Sequence, residues 1–247
     1  MKDKTLPRPV HAVLFDTFGT VVDWRGGMIN AIQRWAKGRA VDVDWPAFID
    51  QWRACEDPGK QAVRAGRTGW MSLEDMHREA LAPLLRSVGL GGMPAADQAW
   101  LLGTWAMGVP WPDSIPGLGS IRRRVPIASL SNGSMSQMLR LARAAGLPWD
   151  CVFSAELFRE YKPAPGVYLG ACRYLGVAPQ NVLLCAAHNY DLQGAKDQGL
   201  QTAFIPRPTE FGPRQTRDFG PEGEWSFVAS DLIDLAQQLG PHLGERP

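Results

Sequence analysis

The sequence predicts an α/β fold, a Rossmann-like core of parallel strands and helices with an α-helical segment inserted after the first strand. Three observations predict it. Short apolar runs alternate with helical patterns through the second half of the chain, and one such run already stands near the start, ending at Asp16. Between them, from about Gly26 to Gly108, helical periodicity dominates and no strand pattern competes with it. Continuous apolar strands joined by helices need a sheet covered on both faces.

The elements follow in order. VHAVLF, residues 10–15, is the first strand. In the insertion, Met28, Ile29, Ile32, Trp35 and Ala36 share one helical face. Phe48, Ile49, Trp52 and Cys55 form a second stripe, with Pro46 suited to a first helical turn. Ser72 with Asp75 reads as a capping pair opening a third helix through Val88, kinked at Pro83, and Trp100, Leu101 and Trp105 mark a fourth. The Pro-rich stretch VPWPDSIPG returns the chain to the core. There PIASLS ends a strand at Ser131, and a helix over 134–145 stops at Gly146. CVFS, a helix from Pro165 to near Gly176, VLLCA, a helix stopped by Gly199, and TAFI complete the alternation. Glycine ends helices because it takes the left-handed conformation without a Cβ clash. The tail after Pro206 reads as irregular until a last helix near 230–239. The expected division is a core of residues 1–25 and 109–247 and a helical insertion of residues 26–108.

Bulk properties narrow the function. A chain of 247 residues buries a sizeable core without disulfides or structural metals. A formal net charge of +1 gives no reason to expect nucleic acid as a partner, and Arg122-Arg123-Arg124 reads as a solvated helix end. Cys55, Cys151, Cys172 and Cys185 are scattered without C-x-x-C spacing, which argues against zinc and against a disulfide framework. The opening MKDKTLPRPV has no apolar leader pattern, and no apolar run approaches a membrane span. Free thiols without an export signal point to the cytoplasm.

In open parallel sheets, ligands bind beyond the carboxyl ends of the strands. The first strand delivers Asp16, then Thr17-Phe18-Gly19-Thr20; the second delivers Ser131-Asn132-Gly133. The loop after CVFS delivers Lys162, and VLLCA delivers His188, Asn189 and Asp191. Two carboxylates, a lysine and small hydrogen-bonding groups would then face one cleft.

F-D-T-F-G-T-V-V-D, S-N-G, Y-K-P and H-N-Y-D resemble, in order and rough spacing, the four motifs of the haloacid dehalogenase superfamily. The insertion is similar in place and size to that family's cap. Superfamily phosphatases carry a second Asp two residues after the nucleophile; here that position is Phe18, which can neither donate a proton nor bind a metal. An aromatic there is the pattern of the (S)-2-haloacid dehalogenase branch, where the leaving halide needs no acid. The resemblance implies a metal-independent enzyme without cofactor, acting on a short 2-haloacid and releasing halide. In it Asp16 is the nucleophile, Lys162 keeps Asp16 ionised, and Asp191 holds or activates the water. Arg53, after Trp52, matches a cap arginine facing the departing halide, with Asn132 beside it. Thr20, Ser131 and the backbone N–H groups of 131–133 would bind the substrate carboxylate. Tyr168 matches an active-site tyrosine of the family; a helix-packing aromatic is the other reading. Homodimers are common in the family, and the resemblance leaves the oligomeric state open.

One departure matters. Many such dehalogenases carry Ser and Asn ahead of the last Asp, where this chain has Ala186, Ala187 and His188. The water site must be built differently, with His188 either sharing the role or serving as a structural histidine. Gly26-Gly27, opening the insertion, would loosen its hinge. The rival readings are a superfamily phosphatase with a substitute acid, a superfamily hydrolase acting on another small organic acid, and a non-catalytic binding protein.

Overall fold

The structure is a computed structural model, and it describes residues 8–244. Residues 1–7 and 245–247, which the expected core range includes, lie outside the described residues. The chain runs β1 (Ala12–Phe15), β2 (Val22–Asp23), then α1 (Trp24–Ala36), α2 (Trp45–Ala54), α3 (Glu56–Arg64), α4 (Leu73–Ser87) and α5 (Ala95–Gly103). It continues through β3 (Val109–Pro110), α6 (Ser114–Arg122), β4 (Ile127–Ser131), α7 (Met135–Ala145), β5 (Cys151–Ser154) and α8 (Pro165–Leu175). It closes with β6 (Val182–Ala186), α9 (Asn189–Asp197), β7 (Gln201–Phe204), β8 (Phe227–Val228) and α10 (Leu232–Leu239).

Six strands form one parallel sheet in the order β5-β4-β1-β6-β7-β8. The chain builds outward from β1 first on one side and then on the other, so the topological switch lies at the carboxyl end of β1, where such sheets bind ligands. Alternate strand residues serve two cores. Val13, Phe15, Ile127, Leu183 and Cys185 face one. Leu14, Ala128, Leu130, Leu184 and Ala186 face the other, against α8 and α9. The first core continues into the insertion through Trp24, Met28, Ile32, Phe48, Trp52 and Trp105. Trp24 and Trp105 stack at 5.9 Å between centroids, and Trp52 meets Trp105 edge-on at 5.4 Å.

Local signals mostly place the elements. Ser134 caps α7 in a box with Gln137, and Gly146 and Gly176 end α7 and α8 in the left-handed conformation. Ser72 caps α4 through the Asp75 N–H at 3.2 Å. Three elements depart from expectation. α3 is an additional helix in the insertion: its Asp57-Pro58-Gly59 reads as a turn, yet Pro58 sits in the first turn, where it is tolerated. A Cβ on Gly59 would lie 2.5 Å from Met76 Sδ, so glycine lets α3 approach α4. α6 occupies part of the expected Pro-rich return, and its Gly117 packs directly on the Leu232 backbone of α10. Gly26 and Gly27 lie in the first turn of α1, not in a hinge loop; a Cβ on Gly27 would meet Met107 O at 2.3 Å. The antiparallel β2–β3 pair ties the outgoing and returning chain together at the base of the insertion.

Candidate active site

Asp16 follows β1 directly, its N–H bonded to Cys185 O of β6 at 3.0 Å. The sharp turn at Gly19 (φ 90°) brings Thr20 back over Asp16. The Thr20 hydroxyl donates to Asp16 Oδ2 at 2.7 Å and accepts from the Ala187 N–H at 2.8 Å. Thr20 is thus committed to orienting Asp16, and the structure does not leave its hydroxyl free for a substrate carboxylate.

Lys162 enters from the loop ahead of α8 and is buried. Its ammonium donates to Asp16 Oδ1 at 2.8 Å, to Leu130 O at 2.9 Å and to Asp191 Oδ2, using all three of its N–H bonds. Asn132 accepts the Lys162 backbone N–H at 2.9 Å, and Arg64 of α3 donates to Lys162 O. The insertion also grips this loop through Tyr161, whose hydroxyl donates to Met71 O at 2.6 Å. Ser131 accepts the Gly133 N–H at 3.1 Å, bracing the turn after β4. The Phe18 ring lies against that turn; a Cβ on Gly133 would stand 2.8 Å from it.

Asp191, in the first turn of α9, is fully buried. The Tyr168 hydroxyl donates to its Oδ1 at 2.7 Å, so Tyr168 combines the two readings left open for it: packed inside α8, it also touches the charged cluster. His188, just ahead of α9, stands on the other side of Asp16. Its Nδ1 is 3.2 Å from Asp16 Oδ2, and its Nε2 is 2.9 Å from Glu210 Oε2. Glu210 is buried in the loop after β7, where it also accepts from Trp24 Nε1 at 3.1 Å. Nothing in the local pattern of R-P-T-E-F-G-P marks Glu210, and the sequence reading missed it.

Arg53 leaves α2 and lies over the Trp24 ring, 5.2 Å from guanidinium carbon to ring centroid. It also pairs with Glu56, a buried carboxylate that the sequence did not single out. Glu56 further binds His77 Nε2 at 2.8 Å and Lys60 at 3.3 Å. His77 stacks on Trp105 at 3.8 Å. The structure therefore gathers Asp16, Lys162, Asp191, Thr20 and Tyr168 into one hydrogen-bonded cluster, with His188 in ion-pair contact with Asp16. Phe18, Ser131 and Asn132 line its edge, and Arg53 belongs to the insertion's adjoining wall of indole and buried charge.

The charges are strongly biased. Burial pushes the Asp16 carboxyl up, but Lys162 and His188 outweigh it and hold it well below the usual carboxylate range. Burial, together with Asp16 nearby, raises Asp191 against the pull of Lys162. Burial disfavours the His188 imidazolium, yet Glu210 and Asp16 overcome it and raise His188 to about 10. The arrangement presents an ionised, nearly enclosed carboxylate at the switch point of the sheet. Such a group can attack carbon or phosphorus and form a covalent intermediate.

A family model for haloacid dehalogenase-like hydrolases matches residues 10–197. The (S)-2-haloacid dehalogenase of Xanthobacter autotrophicus is 30% identical over 206 residues, covering 80% of this chain and 76% of that protein. A crystallised L-2-haloacid dehalogenase superposes with a TM-score of 0.91 at 44% identity, covering 94% of this chain and 99% of its own. A second solved structure, a defluorinating L-2-haloacid dehalogenase, gives 0.90 at 43% identity, covering 95% and 99%.

Proposed function

The chain belongs to the haloacid dehalogenase-like hydrolases, and within that family we propose that it hydrolyses short 2-haloalkanoic acids to 2-hydroxy acids with inversion at C2. The observation that carries this reading is a buried, ionised Asp16 held by Lys162, with Phe18 where a leaving-group acid would stand. An alcohol leaving from phosphate needs a proton; a halide leaving from carbon does not.

Asp16 attacks C2 from behind, forming an ester while the carbon–halogen bond breaks and halide departs with its electron pair. Backside attack accounts for the inversion. Lys162 lowers the repulsion between Asp16 and the substrate carboxylate. The Ser131 hydroxyl and the Asn132 backbone N–H bind that carboxylate, the Gly133 N–H being held by Ser131 Oγ. Arg53, over Trp24, and the Asn132 side chain stabilise the departing halide, a contribution enlarged in a site from which water is excluded. Water then attacks the Asp16 carbonyl and frees the hydroxy acid.

In this reading residues 26–108 are a cap over a core of 1–25 and 109–247, and the cap supplies Arg53. Among the described residues no helix is long and apolar enough to cross a membrane. We propose a cytoplasmic location, to which its free cysteines are suited, with no nucleic-acid partner and a homodimer as the assembly to test.

The test compares halide release from (S)- and (R)-2-chloropropionate and from fluoroacetate with phosphate release from an aryl phosphate. The S substrate should yield the R hydroxy acid, and one turnover in ¹⁸O-water should label Asp16. Phosphate release alone would replace this reading with the phosphatase one, and label entering the hydroxy acid in that turnover would sink the two-step mechanism.

A further inference from the structure

We infer that His188 is the general base that activates water for ester hydrolysis, and that Glu210 is the positioning residue that fixes its reactive nitrogen. The inference rests on the dehalogenase reading above and deepens its second step.

Asp191 is poorly placed for that task. Tyr168 donates to one of its oxygens and Lys162 to the other, so both are already engaged in holding the cluster together. Its place in the cluster suits it to anchoring Lys162. On the opposite flank of Asp16, His188 Nδ1 lies 3.2 Å from Oδ2. That contact falls outside hydrogen-bond geometry, and among the described residues Nδ1 has no hydrogen-bond partner. Nδ1 thus has only its ion-pair contact with Asp16, and esterification of Asp16 removes that contact and leaves a buried ring nitrogen beside the ester carbonyl, where an attacking water has to be met.

Glu210 fixes which nitrogen is free. Its Oε2 takes Nε2 at 2.9 Å, while Trp24 Nε1 holds Oε1 at 3.1 Å. The carboxylate occupies space that glycine at position 19 leaves open: a Cβ there would lie 2.1 Å from Oε1. With Nε2 kept protonated by a buried carboxylate, the neutral ring carries its lone pair on Nδ1, facing Asp16. The same division of labour places the base in serine hydrolases, where a carboxylate orients a histidine that accepts the proton.

The proton balance closes. In the resting enzyme His188 is an imidazolium between two anions. Esterification neutralises Asp16, so the ring loses one of them and releases its proton to solvent. Neutral Nδ1 then takes a proton from water as the hydroxide oxygen bonds to the Asp16 carbonyl carbon. The tetrahedral adduct collapses, the bond from that carbon to the substrate oxygen breaks, and His188 returns the proton to the departing alkoxide. The new Asp16 carboxyl passes its remaining proton to His188, restoring the starting pair. One halide and one proton leave per turnover.

The experiment is a rapid-mixing halide burst on the intact protein, with mass analysis of the Asp16 peptide. Glu210→Gln preserves shape and the acceptor for Trp24 but removes the charge. It should leave first-turnover halide release within twofold of the parent, slow steady-state turnover roughly 100-fold, and accumulate the ester. His188→Ala should trap the same ester, with turnover partly restored by added imidazole; if Glu210→Gln does not fold, this variant decides alone. Parent-like turnover in the variants, or equal slowing of burst and turnover with no ester, overturns the inference. Absence of halide release by the parent protein from every 2-haloacid overturns the dehalogenase reading instead.

Discussion

Lys162 donates to Asp16 at 2.8 Å and also to Asp191, so two buried carboxylates share one cation. Lys162→Met keeps much of the side-chain volume and removes the charge. Leaving buried charge uncompensated costs about 3–5 kcal/mol, and turnover should fall below detection. The acid limb of stability should move as well. A depressed Asp16 stabilises the fold above the ordinary carboxylate range near 3.9 and loses that contribution as pH falls through its folded value. Without Lys162 the carboxyl rises, so the variant should unfold at higher pH than the parent in acid titrations followed by circular dichroism. An unchanged acid midpoint would show that the pairing does not control Asp16.

Arg53 faces two demands, its pairing with Glu56 and its seat over Trp24 at 5.2 Å. Lysine keeps the charge but loses the planar fork that permits both. Arg53→Lys should lower kcat by about tenfold or more, and Arg53→Ala by about 100- to 1000-fold, the scale of one lost transition-state donor. The losses should appear in the halide burst. Near-parent bursts for Arg53→Ala would return Arg53 to a structural role.

Glu56 is the hub of the insertion's buried charge. Burial works against its ionisation, but Arg53, His77 and Lys60 outweigh it and hold it below the usual range, while burial keeps His77 down and neutral. Glu56→Gln should cost about 3 kcal/mol or more, because Lys60 and Arg53 lose their shared anion inside the protein. Chemical denaturation checks it, and a loss under 1 kcal/mol would mean that water reaches the cluster.

His188 should set the alkaline limit of stability. It is faced by Asp16 after β1, Glu210 after β7 and the half-exposed Tyr190 of α9, with Lys162 beyond Asp16. A histidine raised to about 10 contributes its stability fully below its ordinary value and loses it as pH rises through about 10. The melting temperature should therefore decline between roughly pH 7 and 10, and His188→Gln should flatten that decline. A parallel decline in both proteins would assign the alkaline limb to other groups.

Much of this site was legible because chemistry in this architecture sits directly after apolar strands. Asp16, Ser131 and His188 stand at or just beyond the ends of continuous apolar runs, and Lys162 and Asp191 follow close by in marked motifs. Glu210 was not legible. It lies in the long irregular stretch between β7 and β8, and only folding brings it against Gly19 and Trp24. Glu56 and His77, 21 residues apart, meet through the packing of α3 and α4, and α3 itself is hidden by Asp57-Pro58-Gly59. The two-residue strand β8 is too short to carry a period. Thr20 illustrates a different failure: its position was read correctly, but only the structure reveals that its hydroxyl is already spent on Asp16 and Ala187.

Carbon–halogen and phosphoryl chemistry differ in their need for a metal ion. A phosphatase of this superfamily would bridge its nucleophile, the phosphate and acidic residues with Mg²⁺, because phosphoryl oxygens carry charge that must be neutralised. Mg²⁺ demands near-octahedral oxygen ligands. Here the position between Asp16 and Asp191 is taken by the Lys162 ammonium, which hydrogen-bonds to both carboxylates. Phe18 offers no oxygen from the side where a second acid would stand, and among the described residues no group of three His, Cys, Asp or Glu side chains could hold an ion. Lys162 already supplies positive charge to both carboxylates, with all three of its donors satisfied. Dehalogenation of (S)-2-chloropropionate should therefore survive exhaustive EDTA treatment and gain nothing from added Mg²⁺. If chelation abolishes activity and Mg²⁺ restores it, Lys162 is not the compensating charge, and the assignment of Asp16 to carbon–halogen cleavage falls with it.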